Sequence, residues 1–541
     1  MGTDLSQMKT DIRAEFEAVI DFVTNEQAQV ATADQIERGL LRLLLSLGAK
    51  LLHLFFQMRS EACERKPITR AAGKQLSYQG EQKRTYFSVF GLIPLWRPYF
   101  YKKGLGGETP LDAELSLGSD RYSDLVRDLI EYLAVYVPSY GKGMEILVRI
   151  FNFQPSTRVV QKLVLEDGTD VEAYYEQKPA PTPSQEAEIL VAQADGKGVP
   201  MVLEEAVETP VRLGKGQKRG RKKEAIVTSV YTIGSAPRTP QQVVDNLFHP
   251  NKKRPEPKDK ALAWPKPQHK HVWATLEGKD TALARLAQQV EARQGEHIRH
   301  KIALTDGDPA LQTRVESHLP DDFTLILDFI HPNEYLWQVG TSLFGETNEQ
   351  RRTQWVAAQT LLMLSSQTEQ IIVDLRRLAQ APKRTKTQQE KLLKTANYFE
   401  RNLPYMDYKT YLSNGWPIAS GVIEGACRHF VKDRFELSGM RWTQPGAEQL
   451  LRLRAIAENG DWQAYHLYRQ RQRHQRLYNL PFPNQDRFEF QALELEVPPT
   501  PPQTRQNFST LTTTDDLTIA PLPTTTTTDN SLHYFALPLA A

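Results

Sequence analysis

Three carboxylates, Asp195, Asp306 and Glu424, stand in contexts that suit metal-assisted chemistry. Asp195 follows the apolar run ILVAQA and Asp306 follows IALT, and each is followed at once by a glycine, Gly196 or Gly307. A strand ending in Asp-Gly turns away sharply and leaves its carboxylate at the tip. Two neighbouring strands built this way bring two carboxylates to one point. Glu424 falls near the start of a predicted helix, after the loop holding Ser420 and Gly421. Three hard oxygen ligands suit Mg2+ or Mn2+. Two such ions about 3.5–4 Å apart activate a water or a 3′-hydroxyl and stabilise the leaving oxygen of a phosphodiester. An isolated Asp-Gly is ordinarily just a turn, so the reading rests on the three acids together, with cations nearby.

Those cations are present. A helix carrying Glu424 places Arg428 and Lys432 on the same face, with His429 and Arg434 close by. Arg441 and Trp442, in SGMRW, read as a backbone grip and a base-stacking ring, and Trp442 reads equally well as a core aromatic. The run Arg212, Lys215, Lys218, Arg219, Arg221, Lys222, Lys223 reads as an electrostatic arm for DNA phosphates.

The elements that must position these groups follow from periodicity. Residues 1–80 read as a helical N-terminal region, with Leu40, Leu43, Leu44, Leu47, Leu51 and Leu54 at helical spacing. The stretch Leu40–Phe56 is predicted to be a buried amphipathic helix, since Arg42, Lys50 and His53 argue against a bilayer span. Residues 81–175 form a second region. There an aromatic β-hairpin broken at Gly91, over 84–101, precedes a helix-turn-helix-like segment over 143–168 with Ser156 as N-cap. The proline-rich EQKPAPTPSQE, 176–186, predicts a domain boundary. From 187 to 332 strands dominate, with EILVAQADGKGVPMVLEE expected as strand, Asp-Gly turn, strand. Residues 333–412 read as a helical insertion and 413–475 as the return to the core. The Pro- and Thr-rich end, 497–541, is predicted to be a disordered tail.

Composition sets the outer bounds. The 541 residues (61.7 kDa) allow about three to four domains. Two cysteines, Cys63 and Cys427, exclude a disulfide framework and a structural zinc site built on thiolates. Lys and Arg number 67 against 65 Asp and Glu, so nucleic-acid binding has to come from local clusters rather than net charge. The N-terminus lacks an apolar export signal, which predicts a cytoplasmic protein with no membrane partner.

Four motifs in order, ADGKGVP, LTDG, LDFIHPNEYLW and SGVIEGACRHFVKDRFELSGMRW, resemble the DDE transposases of bacterial insertion sequences, most closely the ISKra type. The resemblance spans about 85–460. It implies an α/β, ribonuclease-H-like catalytic core interrupted by a helical insertion and preceded by a mainly helical DNA-binding region with a β-hairpin. It implies Asp195, Asp306 and Glu424 as the metal-binding, catalytic triad, with Mg2+ or Mn2+ as cofactor. Asp328 and His331 resemble the Asp-x-x-His element of several transposase groups, where His331 would touch the scissile phosphate or shuttle a proton, or else merely close a strand end. Double-stranded DNA, as element ends and target, is the implied partner, bound by a homo-oligomer at the bacterial nucleoid. The zinc knuckle that family members often carry has no cysteines here, so the hairpin is expected to be held by its aromatics. Two rival readings remain: a catalytically inactive or repurposed DNA-binding protein, and a hydrolase using Asp195 and Asp306 as an acid–base pair.

Overall fold

The computed structural model describes residues 5–69, 73–151, 153, 155–202, 222–248, 265–382, 384–437 and 439–483. The basic run up to Arg221, including Arg219, and the tail 497–541 lie outside them. By packing, Met1–Phe482 form one compact unit.

The chain opens with α1 (Leu5–Thr24), α2 (Glu26–Val30) and α3 (Ala33–Ala62). Thr32 starts α3 with a reciprocal cap: its hydroxyl takes the Gln35 amide while the Gln35 side chain takes the Thr32 amide. Glu15 of α1 binds Ser46 and Lys50 of α3. Only Leu47, Phe56 and Ser60 of α3 are buried, whereas Leu41, Leu44, Leu51 and Phe55 are exposed. The expected burial of Leu40–Phe56 is therefore wrong for most of the stretch: helical spacing fixes which residues share a face, not whether anything covers it. By length and composition α3 could also cross a membrane, with 11% of its apolar window buried.

A four-stranded antiparallel sheet follows, β1 (Ile68–Thr69), β2 (Gln75–Ser88), β3 (Gly91–Lys102) and β4 (Gly106–Glu108). Gly91, at φ 111°, makes the predicted break, and Ser88 pairs with it across the turn. Ile93, Leu95 and Tyr86 on the inner face pack with Phe56, Leu111 and Leu117. Trp96 and Tyr101 face outward, so only part of the aromatic set holds the hairpin.

Next come α4 (Pro110–Glu114), α5 (Asp124–Tyr136), α6 (Tyr140–Phe151), α7 (Thr157–Asp167) and α8 (Val171–Gln177). Ser156 caps α7 through the Val159 amide, as its sequence position predicts. Helices α5–α8 share one core with the sheet residues Val199, Ala225, Val227 and Trp273, so 176–186 marks no break in packing.

The central sheet contains β5 (Ile189–Pro200), β6 (Lys222–Ile233), β7 (Gln268–Thr275), β8 (His300–Thr305) and β9 (Thr324–Leu327). Its spatial order is β7-β6-β5-β8-β9, with β6 antiparallel to β5 and β7 while β5, β8 and β9 run parallel. This mixed α/β arrangement is consistent with a ribonuclease-H-like core. Two expectations need correction. Asp195-Gly196 is no turn, because β5 runs through it and pairs with β6 as far as Pro200↔Lys222. Gly196 and Gly198 instead leave room for the side chains of Glu224 and Lys222 on the neighbouring strand. Strand β7 went unpredicted, since its first half, QHKH, carries no apolar alternation.

Alternation along β5 feeds two cores. Ile189 and Val191 meet the helical insertion, while Leu190, Ala192 and Ala194 meet α10 (Lys279–Glu291) and α11 (Pro309–His318) between the strands, α9 (Pro240–Phe248) lying earlier in the chain. The insertion is α12 (Ile330–Phe344), α13 (Glu349–Leu364), α14 (Thr368–Ala379), α15 (Lys386–Asn402) and α16 (Tyr408–Ser413). The chain then returns through α17 (Gly421–Gly425), a π-helical turn Ala426–Lys432, α18 (Asp433–Phe435), α19 (Gln444–Glu458) and α20 (Trp462–Tyr478).

Candidate metal centre

The site lies where β8 stops and β5 does not. Parallel pairing of the two strands ends at Gln193↔Leu304. Extending that register by two residues brings Asp195 level with Asp306, which stands one residue beyond β8. Gly307, at φ 85°, then turns the chain away, closely bounded by the side chains of Leu327, Tyr398 and Asn402. The Asp306 carboxylate accepts the Asp308 amide at 3.0 Å, and its carbonyl accepts the Tyr398 hydroxyl at 3.0 Å. Asp308 itself caps α11 and pairs with Lys279, which gives it a structural role.

Asp328 directly follows β9 and is fully buried. Its amide extends the ladder to the Thr305 carbonyl. One carboxylate oxygen accepts the Ser420 amide at 2.8 Å, and the other lies 2.8 Å from Nδ1 of His331. A carboxylate held this way fixes the ring's orientation. The hydrogen bond to Asp328 raises the His331 pKa to about 9 despite burial, and Asp306 adds to the negative potential there. His331 is on the first turn of α12, so the helical insertion begins earlier than position 333.

Glu424 comes from α17, far along the chain. Ser420 donates its hydroxyl to Glu424 at 3.2 Å while its amide holds Asp328, so one residue ties the two acids together. Burial raises the Glu424 pKa, and the charge of Asp328 adds to that. Asp328, His331 and Glu424 bring one ligand atom each within 4.8 Å of one another. Two carboxylates and an imidazole can hold a divalent cation.

The expected trio differs from this cluster. Glu424 belongs to it, but Asp195 and Asp306 do not. Asp195 is engaged elsewhere: Cys427 donates its thiol to one oxygen at 3.2 Å and the Gly196 amide reaches the other at 2.7 Å. Burial, then the Asp195 charge, pushes the Cys427 thiol strongly up, so it stays a neutral donor. The π-helical turn containing Cys427 directly follows α17, which carries Glu424. This short segment therefore reaches Asp328 with one side chain and Asp195 with another. Sequence reasoning gave Cys427 no role, because a lone cysteine carries no spacing signal.

The remaining candidates divide. Arg428 and Lys432 are exposed, as is Arg441. Lys222 is exposed but pairs with Glu436, and Lys223 donates to Gln444 at 2.7 Å. Arg434 and Trp442 are buried, which corrects the DNA contact expected of Arg434 and favours the core reading of Trp442 over the base-stacking one. Arg434 is buried, donates to the carbonyls of Ala134 and Pro138, and lies 5.0 Å from the ring centres of both Tyr140 and Trp442. Trp442 is buried and donates its indole N–H to the Phe435 carbonyl. Together they lock the end of the Glu424 segment onto α5 and α6, because a buried guanidinium needs carbonyl partners in place of water.

No family model matches the chain, and neither does any curated protein. Among solved structures it is similar to one titled "Drosophila P element transposase strand transfer complex", at 11% identity over 67% of this chain and 84% of that one. The TM-score of 0.20 is too low to carry any argument.

Proposed function

We propose that this chain is a DDE-type transposase of a bacterial insertion sequence, acting on double-stranded DNA as a homo-oligomer at the nucleoid. The observation that carries this reading is the convergence at one sheet edge. Asp195 and Asp306 lie two residues past the point where β5 and β8 stop pairing, and a segment more than a hundred residues later brings Glu424 to Asp328 and His331 and Cys427 to Asp195. The order of the four motifs supports the same reading.

In this scheme Glu424, with Asp328 and His331, offers one set of cation donors, and Asp195 and Asp306 border it. Bound Mg2+ or Mn2+ would polarise the phosphodiester and lower the pKa of an attacking water. The protein's part is placement. Ser420 sets the spacing of Glu424 and Asp328, and Asp328 aims His331. Arg428, Lys432 and Arg441, exposed on the same segment, would meet DNA phosphates. Cleavage would free a 3′-hydroxyl that then attacks target DNA, with no covalent enzyme intermediate.

The test is nicking of DNA carrying the element's terminal inverted repeats in the presence of Mg2+. Asp195→Asn should lower the rate at least about a thousandfold, the scale of losing a centre of charge stabilisation, while end binding in a gel shift survives. Undiminished cleavage by that variant would sink the mechanism. Cleavage that persists in EDTA would favour the acid–base hydrolase.

A further inference from the structure

The strand that carries Asp195 holds one more charged group, Lys197, to which no role has yet fallen. Lys197 stands two residues along β5 from Asp195, in ADGKGVP. Because β5 runs on through Asp195-Gly196 and stays paired with β6, successive side chains keep alternating, so Asp195, Lys197 and Val199 share one face. Both neighbours of Lys197 on that face are placed. Asp195 accepts the Cys427 thiol, and Val199 packs in the core that contains Ile423, Ala426 and Phe430. Lys197 therefore faces the segment that carries Glu424, between a carboxylate on one side and an apolar core on the other. Its charge is felt there. Burial dominates the rise of the Cys427 thiol, the charges of Asp195 and Glu424 add to it, and Lys197 opposes it.

No carboxylate neutralises Lys197. It is half-buried, and among the described residues it has neither a hydrogen-bond nor an ion-pair partner. Nearby acids are engaged elsewhere. Glu224 of β6 lies on the other face of the sheet, where its carboxylate fills the space that a Cβ on Gly196 would need, and it pairs with Lys279 at 3.7 Å. Glu436 pairs with Lys222. An ammonium partly withdrawn from water is costly to leave without a counter-charge.

We propose that Lys197 is the phosphate subsite of the candidate metal centre: its ammonium meets a non-bridging oxygen of the scissile phosphodiester. The assignment rests on the transposase reading above and adds a substrate contact to it. Asp195, Asp306, Asp328 and Glu424 concentrate negative charge that repels a phosphodiester, and a cation on the face of Asp195 offsets that repulsion. A lysine binds phosphate as a point charge on a flexible stem, without the fixed fork of an arginine, so it can follow the oxygen as charge builds up during displacement.

The experiment uses the full chain and follows nicking of duplex DNA carrying the element's terminal repeats at saturating Mg2+. A gel shift of the same duplex in EDTA and Mn2+ calorimetry run alongside. Lys197→Ala should lower the nicking rate constant at least about tenfold, the loss expected when a charge-stabilising contact goes, while affinities for duplex and Mn2+ stay within about threefold of the parent. Lys197→Arg, which keeps the charge, should recover most of the lost rate, and Lys197→Met, which keeps only the stem, should not. A smaller loss of nicking in Lys197→Ala overturns the subsite. So does a loss matched by weaker duplex or Mn2+ binding, which marks a residue that shapes the site without touching the phosphate, and so does a rate for Lys197→Met equal to that of Lys197→Arg. A parent that binds the duplex yet nicks nothing with Mg2+ removes the transposase reading and the subsite together, whereas a nicking parent beside an equally active Lys197→Ala removes the subsite alone.

Discussion

The central sheet and the N-terminal helices are both rich in apolar residues at regular spacing, yet they end in opposite states. In β5 and β8 every apolar residue from Ile189 to Ala192 and from Ile302 to Leu304 is buried, with helices on either face. In α1 and α3, Phe16, Ile20, Leu44 and Leu51 recur just as regularly but remain exposed. The lesson is that period reports the shape of an element, whereas burial reports its neighbours. A parallel strand is covered because its own crossover helices return over it. A helical arm joined by short connections carries no such guarantee.

The comparison can be broken from its strongest point downward. The N-terminal helices α5 and α7 are tied to α20 by a buried charge cluster in which Arg469 and Arg127 pair with Asp167. Arg469→Ala should cost about 3–5 kcal/mol, seen as a large fall in melting temperature, because it takes one of the two cations from buried Asp167 and the nearest cation from buried Glu131. Replacement by Met, which removes the charge but fills the space, should not rescue it.

The same cluster predicts a pH response. Burial alone would raise the Asp167 pKa, but Arg469 and Arg127 outweigh it and hold the carboxyl far below its usual range. A group depressed in the folded state adds stability above its unfolded value near 4, and that stability fades as pH falls toward the folded value. Glu131, raised mainly by burial, works in the opposite sense. Melting temperature should therefore drop below about pH 4, and Asp167→Asn should flatten that acid limb while lowering stability at pH 7. An unchanged acid limb in that variant would show that other carboxylates carry it.

Next in size is a matched pair of truncations. Leu304→Ala, at a buried position of β8, should cost about 2–5 kcal/mol, whereas Leu44→Ala, 48% exposed on α3, should stay within about 0.5 kcal/mol. A large loss for Leu44→Ala would mean that the arm is covered in solution. At the metal centre, Glu424→Gln should weaken Mn2+ binding by calorimetry about tenfold or more, and Asp328→Asn, which weakens one donor and loosens the aim of His331, by about 10- to 100-fold. Loss with Glu424→Gln but none with Asp328→Asn would assign Asp328 to structure alone. Cys427→Val should give the smallest change, a few-fold, since Asp195 keeps its bond to the Gly196 amide.

Much of this molecule was legible as a string. The Gly91 turn, the Ser156 cap and strand β6 came straight from local chemistry, since each depends on neighbours within a few residues. So did the turn after Asp306, where Gly307 takes the positive φ that its position suggested. The same dipeptide misled at Asp195, because pairing with β6 straightened what the local sequence would bend. Asp328, His331 and Glu424 were all visible as chemistry-bearing residues. That they, rather than Asp195 and Asp306 with Glu424, gather within ligand distance was not, because Ser420 joins them across about ninety residues of sequence. Arg434 read as a surface group, and Trp442 as either a surface or a core ring, because charge and aromaticity say nothing of depth. Only the packing of α5 and α6 over the Glu424 segment drew them inward. Residue types and spacing thus determined the inventory of elements and reactive groups, which local sterics and hydrogen bonding set. Tertiary structure alone decided which groups meet and which faces are covered, because those depend on contacts between segments that sequence distance does not encode.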